Sequence, residues 1–103
     1  MSLSITKEKS SIIVKPKNLD FDLHIINLEF DSQFKNLILD LSEFENIENS
    51  IFQNFTNFGM QIVKENSFVI VFKESYKDTF PIVPSLEEAF DFVQMEEIER
   101  MLK

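Results

Sequence analysis

The side chains that could carry chemistry in this chain are mainly carboxylates, and several stand close together near its middle. Glu43, Glu45 and Glu48 surround one short polar stretch. Such carboxylates could form a general acid/base pair or a divalent-cation site. No glycine-bent Asp/Asn loop typical of an EF-hand accompanies them. The simpler interpretation is a solvated loop beside a helix N-terminus, or an acidic patch that faces a partner.

Nucleophilic chemistry has few candidates. Ser50, Thr56 and Asp40 are near enough in sequence, but a hydroxyl needs an adjacent base, and none is evident. The chain has a single histidine, His24, and no cysteine, so a metal ligand would lack companions. We interpret His24 as a boundary or surface residue. With one glycine, Gly59, the chain also lacks a glycine-rich phosphate loop. We predict that the protein is not an enzyme and holds no cofactor or metal.

Composition limits the partners of the chain. Its 103 residues and 44% hydrophobic content suit a single domain, which we place at 1–103. A formal charge of −8, with basic residues scattered among acids, argues against nucleic acid and against an anionic membrane surface. No apolar run approaches the ~20 residues of a membrane span. Because absence of cysteine also fits a reducing compartment, we expect a cytoplasmic protein.

The first half of the chain predicts a hairpin, a helix and a buried strand. Residues 5–14 indicate two short strands with a turn near Lys9-Ser10, and Pro16 ends their pairing. Apolar residues recur at helical spacing over 18–30, which predicts an amphipathic α-helix. The apolar run 37–41 is too short for a helix and predicts a strand buried on both faces.

The second half predicts two helices and two strands. An apolar stripe over 49–65 predicts a helix with Asn49 as its N-cap, and Gly59 is expected to pack closely against the sheet. Residues 68–72 predict a core strand. Residues 75–79 predict a loop or short helical turn, and 80–84, which include two prolines, predict a short edge strand.

The last helix carries two apolar stripes in different phases. It should begin at Ser85, with Glu88 at capping-box spacing. Because the stripes are rotated from one another, we predict a kink or break near Val93-Gln94, with a second short helix to the C-terminus. The second stripe, over 95–102, suits docking in a groove or self-association, or it could cover its own sheet. The first stripe is formed by Leu86, Ala89, Phe90 and Val93, and the second by Met95, Ile98, Met101 and Leu102.

The order of elements predicts an α/β fold with a mixed, mostly parallel sheet of four or five strands packed with helices.

Parts of this pattern resemble a STAS domain, the module of bacterial anti-sigma-factor antagonists and of sulfate-transporter tails. The resemblance rests on 36–52, which read as a strand, a turn and a helix start, and on 68–72. The segments Val-Pro-Ser-Leu-Glu-Glu-Ala at 83–89 and Met-Glu-Glu-Ile-Glu-Arg at 95–100 are similar to small stand-alone STAS-like bacterial proteins. Some of those are labelled ribonuclease Z. The label does not describe catalysis here, because that enzyme binds zinc through a His-rich motif.

The resemblance implies a function and a site. In the family, the helix start reads roughly Asp-Ser-Ser-Gly, and the first Ser is the phosphorylation switch. Here Glu48, Asn49, Ser50 and Ile51 hold those places. Asn49 cannot be phosphorylated, and the Ser50 side chain points about 100° further round the helix. The family match of Asp40 suggests that it has a structural role and accepts hydrogen bonds from turn amides.

Our leading hypothesis is a non-catalytic regulatory or adaptor module. It would bind a protein partner, such as an anti-sigma-factor or kinase-like protein, through Glu48, Asn49, Ser50 and, one turn on, Gln53. Because Asn49 resembles an unphosphorylated switch residue, binding would be constitutive. The alternative is a small-molecule or lipid-binding accessory protein on the same fold, with its ligand in the core or at a homodimer interface. Stoichiometric ligand in native mass spectrometry would favour that alternative.

Overall fold

The chain forms one mixed sheet with helical elements on both faces. The computed structural model describes residues 3–20, 23–30, 33–62, 66–73 and 81–102. The strands are β1 (Leu3–Glu8), β2 (Ser11–Pro16), β3 (Asn36–Asp40), β4 (Phe68–Val71) and β5 (Ile82–Val83). The helical elements are a 3-10 helix (Leu23–Glu29), α1 (Asn49–Ile62) and α2 (Leu86–Met101). No described helix is both long enough and apolar enough to cross a membrane.

The sheet confirms the predicted α/β class. Its five strands follow the chain in the order β1-β2-β3-β4-β5. β1 is antiparallel to β2, and every later pair is parallel. β5 is a short edge strand, as predicted, although Phe80 of the predicted range lies outside the described residues. The predicted loop at 75–79 also lies outside them.

The β1–β2 hairpin turns at Lys9 and Ser10, where it was predicted. Both residues have positive φ, 49° and 66°. A two-residue loop with two positive φ angles is the type I′ geometry, whose twist matches that of the flanking strands. Pro16 is the last residue of β2, also as predicted, since it offers no amide for further pairing.

The two faces of the sheet bury separate apolar clusters. Side chains alternate across a strand, so neighbouring residues of β3 serve opposite faces. The larger cluster joins the sheet to α1 and the 3-10 helix, and the smaller one joins it to α2. Each fully buried large apolar side chain contributes about 1.5–3 kcal/mol relative to leaving it exposed. The larger cluster includes Ile12, Val14, Ile26, Leu37, Leu39, Phe52, Phe55, Phe58, Phe68 and Ile70. The smaller one comprises Ile13, Ile38, Val69, Val71, Ala89 and Val93.

The α-helix predicted over 18–30 is wrong in type and extent. A 3-10 helix occupies Leu23–Glu29, and Ile26 is its one buried residue. At the predicted start, the Asn18 side chain accepts a hydrogen bond from the Asp20 amide at 3.0 Å. Such a local bond favours a turn over a helix. Residues 21–22 of the predicted range lie outside the described residues.

The break predicted near Val93-Gln94 is also wrong, because α2 runs without interruption. Its N-cap is Ser85, as predicted, and the Ser85 hydroxyl accepts from the Glu88 amide at 3.2 Å. The side of α2 that faces the sheet is apolar at Ala89 and Val93 and becomes polar in the last turns. The apolar tail stripe therefore faces away from the sheet instead of covering it.

Candidate functional site

The four predicted site residues lie where the chain leaves β3 and enters α1. The carboxyl end of a parallel strand is where α/β folds commonly place their sites. Glu48 precedes α1, Asn49 and Ser50 are in its first turn, and Gln53 is in the next. All four side chains are exposed. The structure thus places them together on one accessible helix end.

The N-cap of α1 differs from the prediction. Asn49 is already helical, and the carbonyl oxygen of Glu48 accepts the first helical hydrogen bond, from the Phe52 amide at 3.0 Å. Glu48 therefore holds the N-cap position. Among the described residues, no side chain accepts from the amides of Asn49, Ser50 or Ile51. These amides remain open to water or to a partner's acceptor groups.

Asp40 fixes the start of the loop that leads to α1. Its side chain is buried, and Oδ1 accepts hydrogen bonds from the Ser42 amide at 3.0 Å and the Ser42 hydroxyl at 2.6 Å. An aspartate that bonds the backbone two residues on is the usual Asx-turn arrangement. The predicted structural role of Asp40 is confirmed.

Two lysines hold the rest of this loop. Lys15 Nζ lies 3.2 Å from Glu43 Oε1, and Lys73 Nζ lies 2.6 Å from Glu45 Oε2. The hydrogen bond from Lys73 and then its charge hold the pKa of Glu45 below its ordinary value. The two carboxylates therefore each face a lysine instead of one another. Glu48, by contrast, has no ion pair with any described residue.

The other candidates for chemistry have structural contacts. The Thr56 hydroxyl is buried and donates to the Gln53 carbonyl oxygen at 2.9 Å, a bond within α1. His24 is exposed on the 3-10 helix, and its ring meets Phe58 edge to face at 6.4 Å. The interpretation of His24 as a boundary or surface residue is confirmed, since its side chain is exposed. Within the described ranges, no group of three or more His, Cys, Asp or Glu side chains could hold a metal ion.

An apolar recess adjoins the predicted site. It is a cleft of about 470 Å³ that lies between α1 and residues 18–20 and 23. Its apolar lining comes from Leu19, Leu23, Ile51 and Phe55, and its polar lining comes from Asn18, Asp20 and Asn54. The sequence assigned the phenylalanines of α1 to the core, and Phe52, Phe55 and Phe58 are indeed buried there. The recess itself was not predicted, because it depends on where the 3-10 segment lies.

A second polar cluster, which the sequence analysis missed, lies at the opposite edge of the sheet. Ser11, Asn36 and Ser67 form a row across β2, β3 and β4, since Ser11 is opposite Asn36, and Ser67 precedes the Phe68 that is opposite Leu37. They precede Ile13, Ile38 and Val69 by two positions, so they are on the α2 face. We call these three residues the polar row.

The last turns of α2 bond to the polar row. The side-chain nitrogen Nδ2 of Asn36 donates to Glu97 Oε2 at 2.9 Å, and Asn36 Oδ1 accepts from the backbone amide of Ser67 at 2.8 Å. The Ser67 hydroxyl donates to Glu96 Oε1 at 2.5 Å and accepts from the Arg100 guanidinium at 3.1 Å. The side chains of Asn36 and Ser67 therefore attach α2 to the sheet, whereas the buried Ser11 hydroxyl has no hydrogen-bond partner among the described residues. Its sequence signal was a polar residue directly before each apolar run, at Ser11, Asn36 and Ser67, together with Glu and Arg on one face of the last helix.

Comparisons with protein-family models, with curated proteins and with solved structures find no match to this chain. The resemblance to STAS domains therefore stays a prediction.

Proposed function

We propose that this chain is a non-catalytic, STAS-like regulatory or adaptor module that binds a protein partner through the start of α1. The partner surface would consist of Glu48, Asn49, Ser50 and Gln53 with the apolar recess beside them. The observation that carries the proposal is this combination of exposed polar side chains, open helix amides and an apolar cleft. Protein interfaces typically join an apolar centre to a polar, hydrogen-bonding rim.

The contacts of the loop before α1 support this function. The loop before α1 begins with the buried Asp40–Ser42 turn and carries the exposed ion pairs of Glu43 and Glu45. Anchoring a surface before binding reduces the entropy that is lost when the complex forms. A partner would therefore meet a helix start whose position is already set.

The neutral side chain of Asn49 supports constitutive binding. An open helix N-terminus favours acceptor groups and negative charge on a partner. A phosphate on Ser50 would place its own charge at these amides and next to Glu48, and would compete with such a partner. With Asn49 at the switch position, binding would not require dephosphorylation.

The proposal that the chain is not an enzyme rests on the hydrogen bonds of two candidate nucleophiles, Thr56 and Ser50. Thr56 is engaged within α1, and no described base lies in hydrogen-bond contact with the Ser50 hydroxyl. The alternative of a small-molecule or lipid-binding accessory protein stays a prediction, which native mass spectrometry tests. We propose the partner-binding module, located in the cytoplasm, as the better-supported function.

Affinity capture from native extract tests the proposal with matched baits. Asn49→Arg places a bulky positive charge in the proposed surface. Asn57→Arg makes the same change on the exposed side of α1, about 12 Å further along the helix. We expect wild type and Asn57→Arg to capture a partner protein that Asn49→Arg does not capture. Equal capture by all three baits would show that the partner surface lies elsewhere.

A further inference from the structure

The outer side of α2 carries an apolar stripe that the protein's own fold does not use. The side of α2 that faces the sheet already has its contacts within the fold. Ala89 and Val93 are buried in the core. Glu96, Glu97 and Arg100 form hydrogen bonds with the polar row. The outer stripe comprises Met95 at 62% exposure, Ile98 at 49%, Met101 at 82% and Leu102 at 81%. An apolar patch of this kind, rimmed by polar residues, commonly marks an interaction surface.

The spacing of the stripe suits a helix as its partner. Met95, Ile98 and Leu102 are separated by three and four residues, so they line up along one side of α2. Such a line of apolar side chains packs against a similar line on a second helix. Methionine is flexible enough to fit an irregular apolar surface.

The charges beside the stripe decide between a second copy and a different partner. Glu87, Glu88, Asp91 and Glu99 are exposed on α2, and none has an ion pair with a described residue. Arg100, the basic residue of the last turn, is engaged with Ser67 and Glu96. Two copies of α2 packed together would bring these carboxylates close to one another and repel. Lysines or arginines in corresponding places on a partner would be attracted.

We propose that the outer side of α2 docks a cationic amphipathic helix of a partner protein. The apolar side chains of that helix would cover Met95, Ile98 and Leu102, and its basic side chains would face Asp91 and Glu99. This surface is separate from the start of α1, because the two helices pack on opposite faces of the sheet. The inference therefore stands whether or not the α1 surface binds a partner.

The test uses a fluorescein-labelled helical peptide in which leucine recurs at helical spacing and lysine fills the other positions. Fluorescence anisotropy would measure its binding to the full chain, and a peptide with glutamate in place of lysine is the charge control. Ile98→Glu alters the stripe. Leu28→Glu is the matched control, because Leu28 is 83% exposed on the 3-10 helix. Met95→Glu gives a second variant of the stripe, should Ile98→Glu disturb the fold.

We expect the lysine peptide to bind, with at least about tenfold weaker binding of the glutamate peptide. Ile98→Glu and Met95→Glu should each weaken lysine-peptide binding by about tenfold, and Leu28→Glu by less than about twofold. Equal binding by wild type and both stripe variants would overturn the proposal. Two further results would overturn the proposal. One is self-association of the wild-type chain in sedimentation that Ile98→Glu abolishes. The other is binding of the wild-type chain to phosphatidylcholine vesicles that Ile98→Glu abolishes. Those outcomes would assign the stripe to a second copy or to a lipid surface.

Discussion

Ser67 and Ser11 are both buried in the polar row, but their hydroxyls differ in hydrogen bonding. Ser67 bonds to Glu96 and Arg100, whereas the Ser11 hydroxyl has no hydrogen-bond partner among the described residues. Removing a bonded hydroxyl leaves its partners unsatisfied, and removing an unbonded one does not. We expect Ser67→Ala to lower the free energy of unfolding by about 1–2 kcal/mol and Ser11→Ala to change it by less than about 0.5 kcal/mol. Urea denaturation measures both, and equal losses would contradict the hydrogen-bond assignment.

Gly59 shows a packing constraint on α1 that opposes helix propensity. A Cβ atom at this position would lie 2.9 Å from Phe68 Cγ and would overlap the edge of its ring. The close packing predicted from the sequence is confirmed. Alanine favours a helix by about 1 kcal/mol over glycine, but overpacking costs typically about 1–3 kcal/mol.

We therefore expect Gly59→Ala to destabilise the protein by a net amount of up to about 2 kcal/mol. Thermal unfolding monitored by circular dichroism would measure it. Asn57→Ala, at an exposed position of the same helix, is the control and should have little effect. Combining Gly59→Ala with Phe68→Leu should cost less than the sum of the two single changes. Full additivity would mean that the alanine does not meet the Phe68 ring.

We expect the stabilisation from the Glu45–Lys73 ion pair to depend on pH. The hydrogen bond and charge of Lys73 lower the pKa of Glu45 in the folded chain. The stabilisation from this pair is therefore present above the unfolded pKa and is lost as pH falls through the lowered folded value. Lys73→Met should raise the pKa of Glu45 toward its ordinary value, and Lys15→Met should leave it unchanged. An NMR titration of the Glu45 carboxyl carbon measures both, and a pKa insensitive to Lys73→Met would contradict the pairing.

At the scale of elements, Asn36 joins three parts of the fold. Its side chain bonds to the Ser10 carbonyl oxygen of the hairpin turn at 3.2 Å, to the Ser67 amide before β4, and to Glu97 of α2. We expect Asn36→Ala to lower the free energy of unfolding by about 2–4 kcal/mol, because it leaves buried groups unpaired. Asn46→Ala, at an exposed loop position, should change it by less than about 0.5 kcal/mol. Similar small losses for both in urea denaturation would show that the polar row does not hold α2.

The sequence predicted elements well where apolar side chains alone decide them. The runs at 37–41 and 68–72 could be buried only as strands in the centre of a sheet, and the structure confirms both. The start of α2 at Ser85 is confirmed, but the predicted break near Val93-Gln94 is wrong because that prediction considered only the apolar residues. The stripe that faces the sheet continues through Glu96, Glu97 and Arg100, so the helix needs no kink to keep one side inward. At 18–30, the turn at Asn18 outweighed helical periodicity.

The candidate site was predictable only where its residues are close to one another in sequence. Glu48, Asn49, Ser50 and Gln53 are near one another in sequence, so a correct helix start was enough to place them together. The Asx turn of Asp40 was also predictable, since it is local. The apolar recess and the lysine partners of Glu43 and Glu45 come from distant segments, and periodicity holds no information about them.

At the scale of the whole molecule, the two proposed surfaces belong to opposite faces of one small sheet. The start of α1 offers open amides and a recess, and the outer side of α2 offers an apolar stripe with acidic neighbours. With a formal charge of −8, the chain would attract basic partners at long range, and added salt would screen that attraction. A module with two separate surfaces could bring two partners together, as an adaptor does.

Site-specific photo-crosslinking from α1 tests the central claim most directly. A photoreactive residue in place of Gln53 reports on the proposed surface. The same residue in place of Gln61, which is also exposed, reports on the far end of the helix about 12 Å away. In native extract, we predict a specific protein adduct from position 53 that excess wild-type chain suppresses and excess Asn49→Arg chain does not. A specific adduct from position 61 with none from position 53, or equal suppression by both competitors, would contradict the account.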